Sequence, residues 1–186
     1  MAGEASAITK RARDIVAPLG DEEEQRAVET ALAHFSADRA ALRVYGAELA
    51  IEKRRGKVPE RRVRVLVALR GSSLVHEVLI DASGDIAAVE ERPSLNLPYL
   101  ADEVEEATAI AARDERVADL LGDRVVGVGT FAPKNDERSH RLVGLHYLDT
   151  EDPHAPRPLA TVVVDLAADE ALSVRDDSAG SARDGS

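Results

Sequence analysis

The chain has 186 residues, of which 44% are hydrophobic and only 3% aromatic, so its core is expected to consist mainly of Val, Leu, Ile and Ala. Its formal net charge of −11 disfavours binding to nucleic acid, which needs a basic surface, and binding to an anionic membrane surface. Cysteine is absent, which excludes disulfides, thiolate metal sites and thiol nucleophiles.

The N-terminal residues are small and mixed in character. Residues 1–18 are predicted to form a flexible arm, with one helical turn at Ile8–Val16. This region has no continuous apolar segment of the kind found in signal peptides. No run in the chain approaches the roughly 20 apolar residues of a membrane span. We therefore expect a soluble, cytoplasmic protein.

A helix followed by four strands is predicted for the first half of the chain. Asp21 is the expected N-cap, and Glu24 stands at the capping-box position three residues later. The helix carries an apolar stripe and should end near Ser36–Ala40. The stripe consists of Val28, Ala31, Leu32 and Phe35. The strands are predicted over 43–53, 62–70, 74–81 and 85–91.

Alternation within the first two strands predicts which side chains share a face. In the first strand these are Tyr45, Ala47, Leu49 and Ile51, and in the second they are Val63, Val65, Val67 and Leu69.

The second half repeats this order after a linker at Pro93–Pro98. Asp102 is the expected N-cap of a helix, with Glu105 three residues later, and Asp114 is expected to begin a short helix that stops at Gly122. Four strands are predicted over 124–131, 140–148, 159–166 and 171–174. Residues 176–186 are polar and small and are predicted to be disordered.

Two segments repeat the same strand, turn and strand pattern. They are Val78–Val89, VLIDASGDIAAV, and Val162–Val174, VVVDLAADEALSV. Asp81 returns as Asp165 at an offset of 84 residues. The repeat could indicate an acid–base pair, but a role in turns is the better explanation, because Asp side chains commonly accept hydrogen bonds from nearby backbone N–H groups. The sequence therefore predicts an α+β fold of two tandem units, 19–92 and 99–175, each with one helix on a four-stranded antiparallel sheet.

Four phrases in order resemble the N2 and N3 domains of copper amine oxidases, which have a cystatin-like fold. They are APLGDEEEQRAV, EVLIDASGDIAAVEERP, YLADEVEEATAIAARDERVADLL and DPHAPRPLATVVVDLAADEALSVRD, and they extend from about residue 17 to residue 176. The chain departs from the family at Val128–Phe131, where the family tends to have Val-Asp-Pro-Trp. The resemblance implies two cystatin-like units in tandem.

The catalytic domain of that family is absent from this sequence. In the family it holds copper and a quinone made from a Tyr that follows Asn. Tyr45, Tyr99 and Tyr147 do not follow Asn, and no His-x-His pair is present. No catalytic or cofactor-binding residue is therefore carried over, and the chain is expected not to be an enzyme.

The five histidines are candidate metal ligands. His140 and His146 have the same strand parity, but six residues place them about 20 Å apart, too far to share one ion. His154 lies in a loop that could fold back towards His146. Separate strand or surface histidines are the preferred interpretation, and His76 is expected to be partly buried and hydrogen-bonded.

One basic segment stands out in this acidic chain. Lys53–Arg62, KRRGKVPERR, is predicted to form a hairpin loop between two strands. A solvated loop is the simpler interpretation, and docking to an acidic partner, where such a patch mainly raises the association rate, is the alternative. The candidate docking residues are Lys53, Arg54, Arg55, Lys57, Arg61 and Arg62.

These observations predict a stand-alone, non-catalytic module that acts in protein binding or assembly. A separately encoded oxidase subunit is one partner that the resemblance suggests. The alternative is a small-molecule-binding protein or enzyme that uses the concave face of a cystatin-like sheet, since one fold can host several functions.

Overall fold

The computed structural model describes residues 15–52, 59–93, 97–133, 140–152 and 154–178. Over these ranges the chain is α+β, with two four-stranded antiparallel sheets and three complete α-helices. It divides into two compact units, Met1–Leu69 with Leu74–Arg92, and Arg70–Ser73 with Pro93–Ser186. Most of the predicted arm, linker and tail, namely 1–14, 94–96 and 179–186, lies outside the described residues.

The first unit contains one helix and a four-stranded meander. Its elements are α1 Asp21–His34, β1 Leu42–Glu52, β2 Glu60–Leu69, β3 Leu74–Ile80 and β4 Ile86–Pro93. The strands pair in sequence order, β1-β2-β3-β4. The predicted helix and strands are confirmed, but Gly20 is the N-cap and Asp21 is the first helical residue, so the expected cap at Asp21 was wrong.

The core of the first unit lies between α1 and one face of its sheet. Alternation along β2 buries Val63, Val65 and Val67, as predicted, whereas Leu69 at the strand end is 44% exposed. The prediction for β1 was wrong at Tyr45. A bulge between Val44 and Gly46 shifts the register, so the alternation changes there and Val44 packs against the core together with Ala47.

The second unit carries two helices on its sheet. Its elements are α2 Ala101–Ala112, α3 Glu115–Leu121, β5 Val126–Phe131, β6 Leu142–Asp149, β7 Arg157–Asp165 and β8 Glu170–Asp176. The strand order is β5-β6-β7-β8. One helix per sheet therefore does not describe this half of the chain. None of the helices in the described ranges combines the length and apolar character required to cross a bilayer.

The ends of the helices in the second unit show which predicted caps exist. Asp114 accepts from the backbone N–H of Arg116 at 2.9 Å and caps α3, as predicted. Gly122 ends that helix with φ 54°, a left-handed conformation that favours glycine. The N-cap of α2 is Leu100 and not Asp102, so that expected cap was wrong.

The core of the second unit is formed by side chains from both helices and the inner strands. β6 contributes Val143, Leu145 and Tyr147, and β7 contributes Val162 and Val164. The helices contribute Ala107, Ile110, Ala111 and Val117. Tyr147 is the one aromatic side chain among the buried residues of this cluster, in keeping with the low aromatic content.

Candidate functional site

The predicted docking segment is only partly described by the structure. Lys53, Arg54, Arg55 and Lys57 lie outside the described residues. Arg61 and Arg62 belong to strand β2 and not to a loop. Their side chains point to opposite faces of the sheet, because successive strand residues alternate, and each has its own ionic partners.

Arg61 connects β2 to the first turn of α1. Its Nε and Nη2 atoms donate to the Glu23 carboxylate at 3.0 and 2.7 Å, and its guanidinium also donates to the carbonyl oxygens of Ala17 and Pro18 at 2.6 and 3.3 Å. The Arg61 side chain is only 15% exposed. The hydrogen bond from Arg61 is the main reason that the pKa of Glu23 is lowered. The expectation of an exposed loop charge at Arg61 was therefore wrong.

Arg62 lies on the outer face of the first sheet, where charges of opposite sign alternate. Arg62 pairs with Glu52 and Glu60 at 2.7 and 3.0 Å. Further along the same face, Arg64 pairs with Glu48 at 2.8 Å and with Glu77 at 2.9 Å. Glu77 is nearly buried and also pairs with Arg92 of β4 at 3.0 Å. These pairs bridge all four strands of the sheet.

A second arginine in the second unit repeats the Arg61 arrangement. Arg141 donates to both carboxylate oxygens of Glu103 at 3.2 and 3.3 Å, and to the carbonyl oxygens of Leu97 and Pro98 at 3.2 and 3.1 Å. Its guanidinium also lies 4.6 Å from the ring centroid of Tyr99. Glu103 in turn accepts from the backbone N–H of Leu100, the N-cap of α2, at 3.0 Å.

We call each of these arrangements a helix clamp: an Arg within or directly before the second strand of the unit, the Glu at the third position of the helix, and the carbonyls before the helix. Pro98, Glu103 and Arg141 follow Pro18, Glu23 and Arg61 by 80 positions each. Sequence reasoning missed both clamps, because it placed the capping-box acids at Glu24 and Glu105. Both halves of the sequence have the same spacing from Pro to Glu and from Glu to Arg, and this repeat could have revealed the clamps.

The repeated aspartates form turns, as predicted. Asp81 Oδ1 accepts from the backbone N–H groups of Ser83 and Asp85 at 2.8 and 3.2 Å. Asp165 Oδ1 accepts from those of Ala167 and Ala168 at 2.9 and 3.0 Å.

The two aspartates differ in burial, but both have a lowered pKa. The Ser83 hydroxyl is the main cause of the lowered pKa of Asp81. Asp165 is 1% exposed. Burial raises the pKa of Asp165, but the hydrogen bonds from His140 and the two backbone groups outweigh it and lower the pKa overall.

The histidines have separate partners. His140 Nδ1 lies 2.8 Å from Asp165 Oδ2, while the half-buried His76 packs against the Phe35 ring with centroids 5.0 Å apart. Among the described residues, no group of three or more His, Asp or Glu side chains is arranged to hold a metal ion.

His146 belongs to a polar chain on the outer face of the second sheet. Its Nδ1 lies 3.0 Å from Thr161 Oγ1, and Thr161 donates to Asp177 Oδ2 at 2.5 Å. The pKa of Asp177 is lowered, because hydrogen bonds from Arg175 and Thr161 outweigh the opposing effect of burial. Ionised Asp177 can only accept and the hydroxyl has one proton, so Thr161 must accept from His146 Nδ1–H. This leaves Nε2 as the acceptor of a neutral His146 ring.

The first unit has a cleft of about 400 Å³ between α1 and the Asp81 turn. Val63 and Ile80 of the sheet line it, so the cleft lies on the helix side of the sheet. Its polar lining includes Glu23, Arg26, Glu29, Thr30, Asp81 and Ser83. Ligand sites of this size commonly combine apolar walls with a few convergent polar groups.

The chain matches no protein-family model, and a search of curated proteins finds no relative.

Proposed function

We propose that this chain is a non-catalytic, cytoplasmic module that resembles the N2 and N3 domains of copper amine oxidases and acts by binding another protein. In this proposal the partner is a separately encoded oxidase subunit, and both units are cystatin-like. The observation that carries it is the order of elements, since each half continues as a four-stranded antiparallel meander after one helix in the first half and two in the second, over the residues of the family-like phrases. The repeated helix clamps give further support to a tandem arrangement.

Co-purification tests this proposal. This chain, carrying an affinity tag, is co-expressed with a copper amine oxidase subunit encoded in the same genome, and the eluate is analysed by size-exclusion chromatography with light scattering. We expect one complex of defined stoichiometry. An unrelated tagged protein of similar size and acidity serves as the control. An oxidase subunit that elutes alone, fully active and unchanged in mass, would contradict the proposal.

The basic segment is a proposed electrostatic contact within this function. Arg54→Glu with Arg55→Glu is the appropriate variant, and Arg61 is left intact because it belongs to the helix clamp. We expect slower association, with the largest difference at low salt, where the Debye length reaches about 30 Å at 0.01 M. Binding that is unchanged at every salt concentration would contradict this contact and favour the simpler interpretation, in which the segment has no docking role.

A small-molecule-binding function is the second candidate, and the cleft between α1 and the Asp81 turn is the observation that favours it. A thermal-shift screen of small polar metabolites against the native chain and a Thr30→Trp variant, which would fill the cleft, tests it. We expect a binder to raise the melting temperature of the native chain only. Equal shifts in both proteins would place the binding elsewhere.

A further inference from the structure

The cleft of about 400 Å³ in the first unit lies where the second unit has larger side chains. Ile110 of α2, which follows Thr30 of the cleft lining by 80 positions, is 3% exposed and belongs to the core. Arg113, which follows Ala33 by the same interval, pairs with Asp169 of the β7–β8 turn at 2.6 Å. The smaller residues of the first unit therefore leave room for an occupant at this position.

The charges of the cleft indicate the chemistry of that occupant. Glu23, Glu29 and Asp81 line the cleft, and Arg26 is the one cation among its described lining residues. The side-chain hydrogen bonds described above lower the pKa of Glu23 and of Asp81, so both carboxylates are charged at neutral pH. The remaining walls include apolar side chains of α1 and the sheet. A complementary occupant combines positive charge with small or apolar side chains.

The sequence just before the described residues has this character. Lys10–Arg13, KRAR, contains three cations, against two acids in the whole of residues 1–14. Ile8 and Ala12 are four positions apart, a spacing that places side chains on one face of a helix. The chain is helical at Ile15 and Val16, where the described residues begin. Residues 1–14 thus have the pattern of a basic, amphipathic segment.

The described residues begin beside the cleft. Arg61 donates through Nη1 to the carbonyl oxygen of Ile15 at 3.3 Å, and through Nη2 to Glu23 Oε2 at 2.7 Å. A single guanidinium therefore connects Ile15 to a residue of the cleft lining. Because residues 1–14 are tethered at this point, their effective concentration at the cleft is high, and weak contacts are sufficient for binding.

We propose that the N-terminal segment, residues 1–14, docks in the cleft of the first unit, with Lys10, Arg11 and Arg13 facing its acidic rim. The segment covers the apolar walls, and its cations neutralise part of the charge of the carboxylates. Any small molecule that uses the cleft competes with the segment, which lowers the apparent affinity of that molecule. The inference does not depend on the proposed oxidase partner.

A spin label on the segment tests this proposal in the 186-residue chain. The sequence contains no cysteine, so Ala7→Cys provides a single attachment site for a nitroxide label. The label broadens the NMR signals of backbone amides that lie near it. We expect broadening at Thr30, Ser83 and Gly84, which line the cleft.

Charge-reversal variants separate docking from mere tethering. The combination of Lys10→Glu, Arg11→Glu and Arg13→Glu in the labelled chain should remove the broadening at the cleft. Glu29→Lys, with the native segment, should weaken it. Glu24→Lys makes the same change at an exposed acid of α1 that is not in the cleft lining, and as the matched control it should leave the broadening unchanged.

Three results would overturn the proposal. The first is an absence of broadening at the cleft in the native labelled chain. The second is equal broadening in the triple variant of the segment, which would show that the tether alone brings the label near; this comparison decides even if Glu29→Lys disturbs the fold. The third is broadening of an isotope-labelled chain without nitroxide when it is mixed with the spin-labelled chain, which would assign the contact to a second copy.

Discussion

The two helix clamps have the same parts but very different exposure. In the first unit the Arg61 and Glu23 side chains are 15% and 36% exposed, whereas in the second the Arg141 and Glu103 side chains are 6% and 0% exposed. An exposed ion pair typically contributes about 0–1 kcal/mol. Removal of one partner from a buried pair leaves an uncompensated charge and costs about 3–5 kcal/mol. The same arrangement of residues is therefore expected to contribute little to the stability of the first unit and much more to that of the second.

The two sheets have similar inner faces and different outer faces. Val63, Val65 and Val67 correspond at 80 positions to Val143, Leu145 and Tyr147, and all six face the cores. On the outer faces, Arg62 and Arg64 correspond to Leu142 and Gly144. Packing against a helix constrains the inner face to apolar residues, whereas the outer face is free to carry either an ionic network or a surface of small and aromatic residues.

The largest expected effect is at the buried clamp. Glu103→Gln should lower the free energy of unfolding by about 3–5 kcal/mol, because Arg141 keeps its charge in a buried site after losing the carboxylate with which it pairs. Urea denaturation measures the change. Glu105→Gln, an exposed acid on the same helix, is the control and should change stability by less than about 0.5 kcal/mol. Equal effects at the two positions would contradict the role given to burial.

The outer face of the second sheet is the next test. Gly144→Ala should destabilise the protein by about 1–3 kcal/mol, because the new Cβ would lie 2.5 Å from the Phe131 ring. The measurement is again the urea midpoint. Phe131→Leu in the same chain should recover part of the loss, since it removes the atoms that clash. Gly129→Ala, whose Cβ would meet only His146 Cβ at 4.0 Å, is the matched control.

The more exposed clamp should respond more weakly. Glu23→Gln is expected to cost about 1 kcal/mol, because the Glu23 side chain is 36% exposed and Arg61 still donates to the carbonyl oxygens of Ala17 and Pro18 once the carboxylate is lost. Glu24→Gln, also in the first turn of α1, controls for the interaction with the helix dipole. A loss at Glu23 as large as that at Glu103 would show that the two clamps are energetically equivalent despite their different burial.

The smallest effect is a pH dependence at the repeated turns. Both aspartates have a folded-state pKa below the ordinary value of 3.8. Each therefore contributes stability that is present above that value and is lost as the pH falls through the folded-state pKa. Asp165→Asn and Asp81→Asn should each flatten the acid limb of the stability–pH curve, measured by denaturation between about pH 5 and pH 2. A curve as steep as that of the native chain would contradict the assignment.

Local patterns were sufficient for most of the fold. Alternation predicted the buried valines of β2, and turn chemistry predicted the backbone contacts of Asp81 and Asp165, because both depend on residues close in sequence. The bulge at Tyr45 escaped prediction because one alternation was assumed across Gly46, although the apolar positions change phase between Val44 and Ala47. Tyr45 was assigned to the wrong face for that reason.

The clamps and the polar chain of His146 escaped prediction for a different reason. Arg61 is 38 residues from Glu23, and Thr161 is 15 residues from His146 and 16 from Asp177, so no short local window contains these contacts. Arg61 was therefore assigned with Arg62 to a basic loop, although the two side chains point to opposite faces of β2. If the predicted strand had begun at Arg61 instead of Arg62, alternation would have placed the two side chains on opposite faces.

The equal length of the two clamp loops has a consequence for folding kinetics. Each clamp joins residues 38 positions apart, so ring closure carries the same entropic cost in both units, roughly 3 kcal/mol from the length-dependent term. Because the clamp also requires the helix and the sheet to be docked, we expect it to form after the rate-limiting step. Contacts of that kind act mainly on the unfolding rate. The buried clamp should therefore set the lifetime of the second unit while leaving its folding rate nearly unchanged.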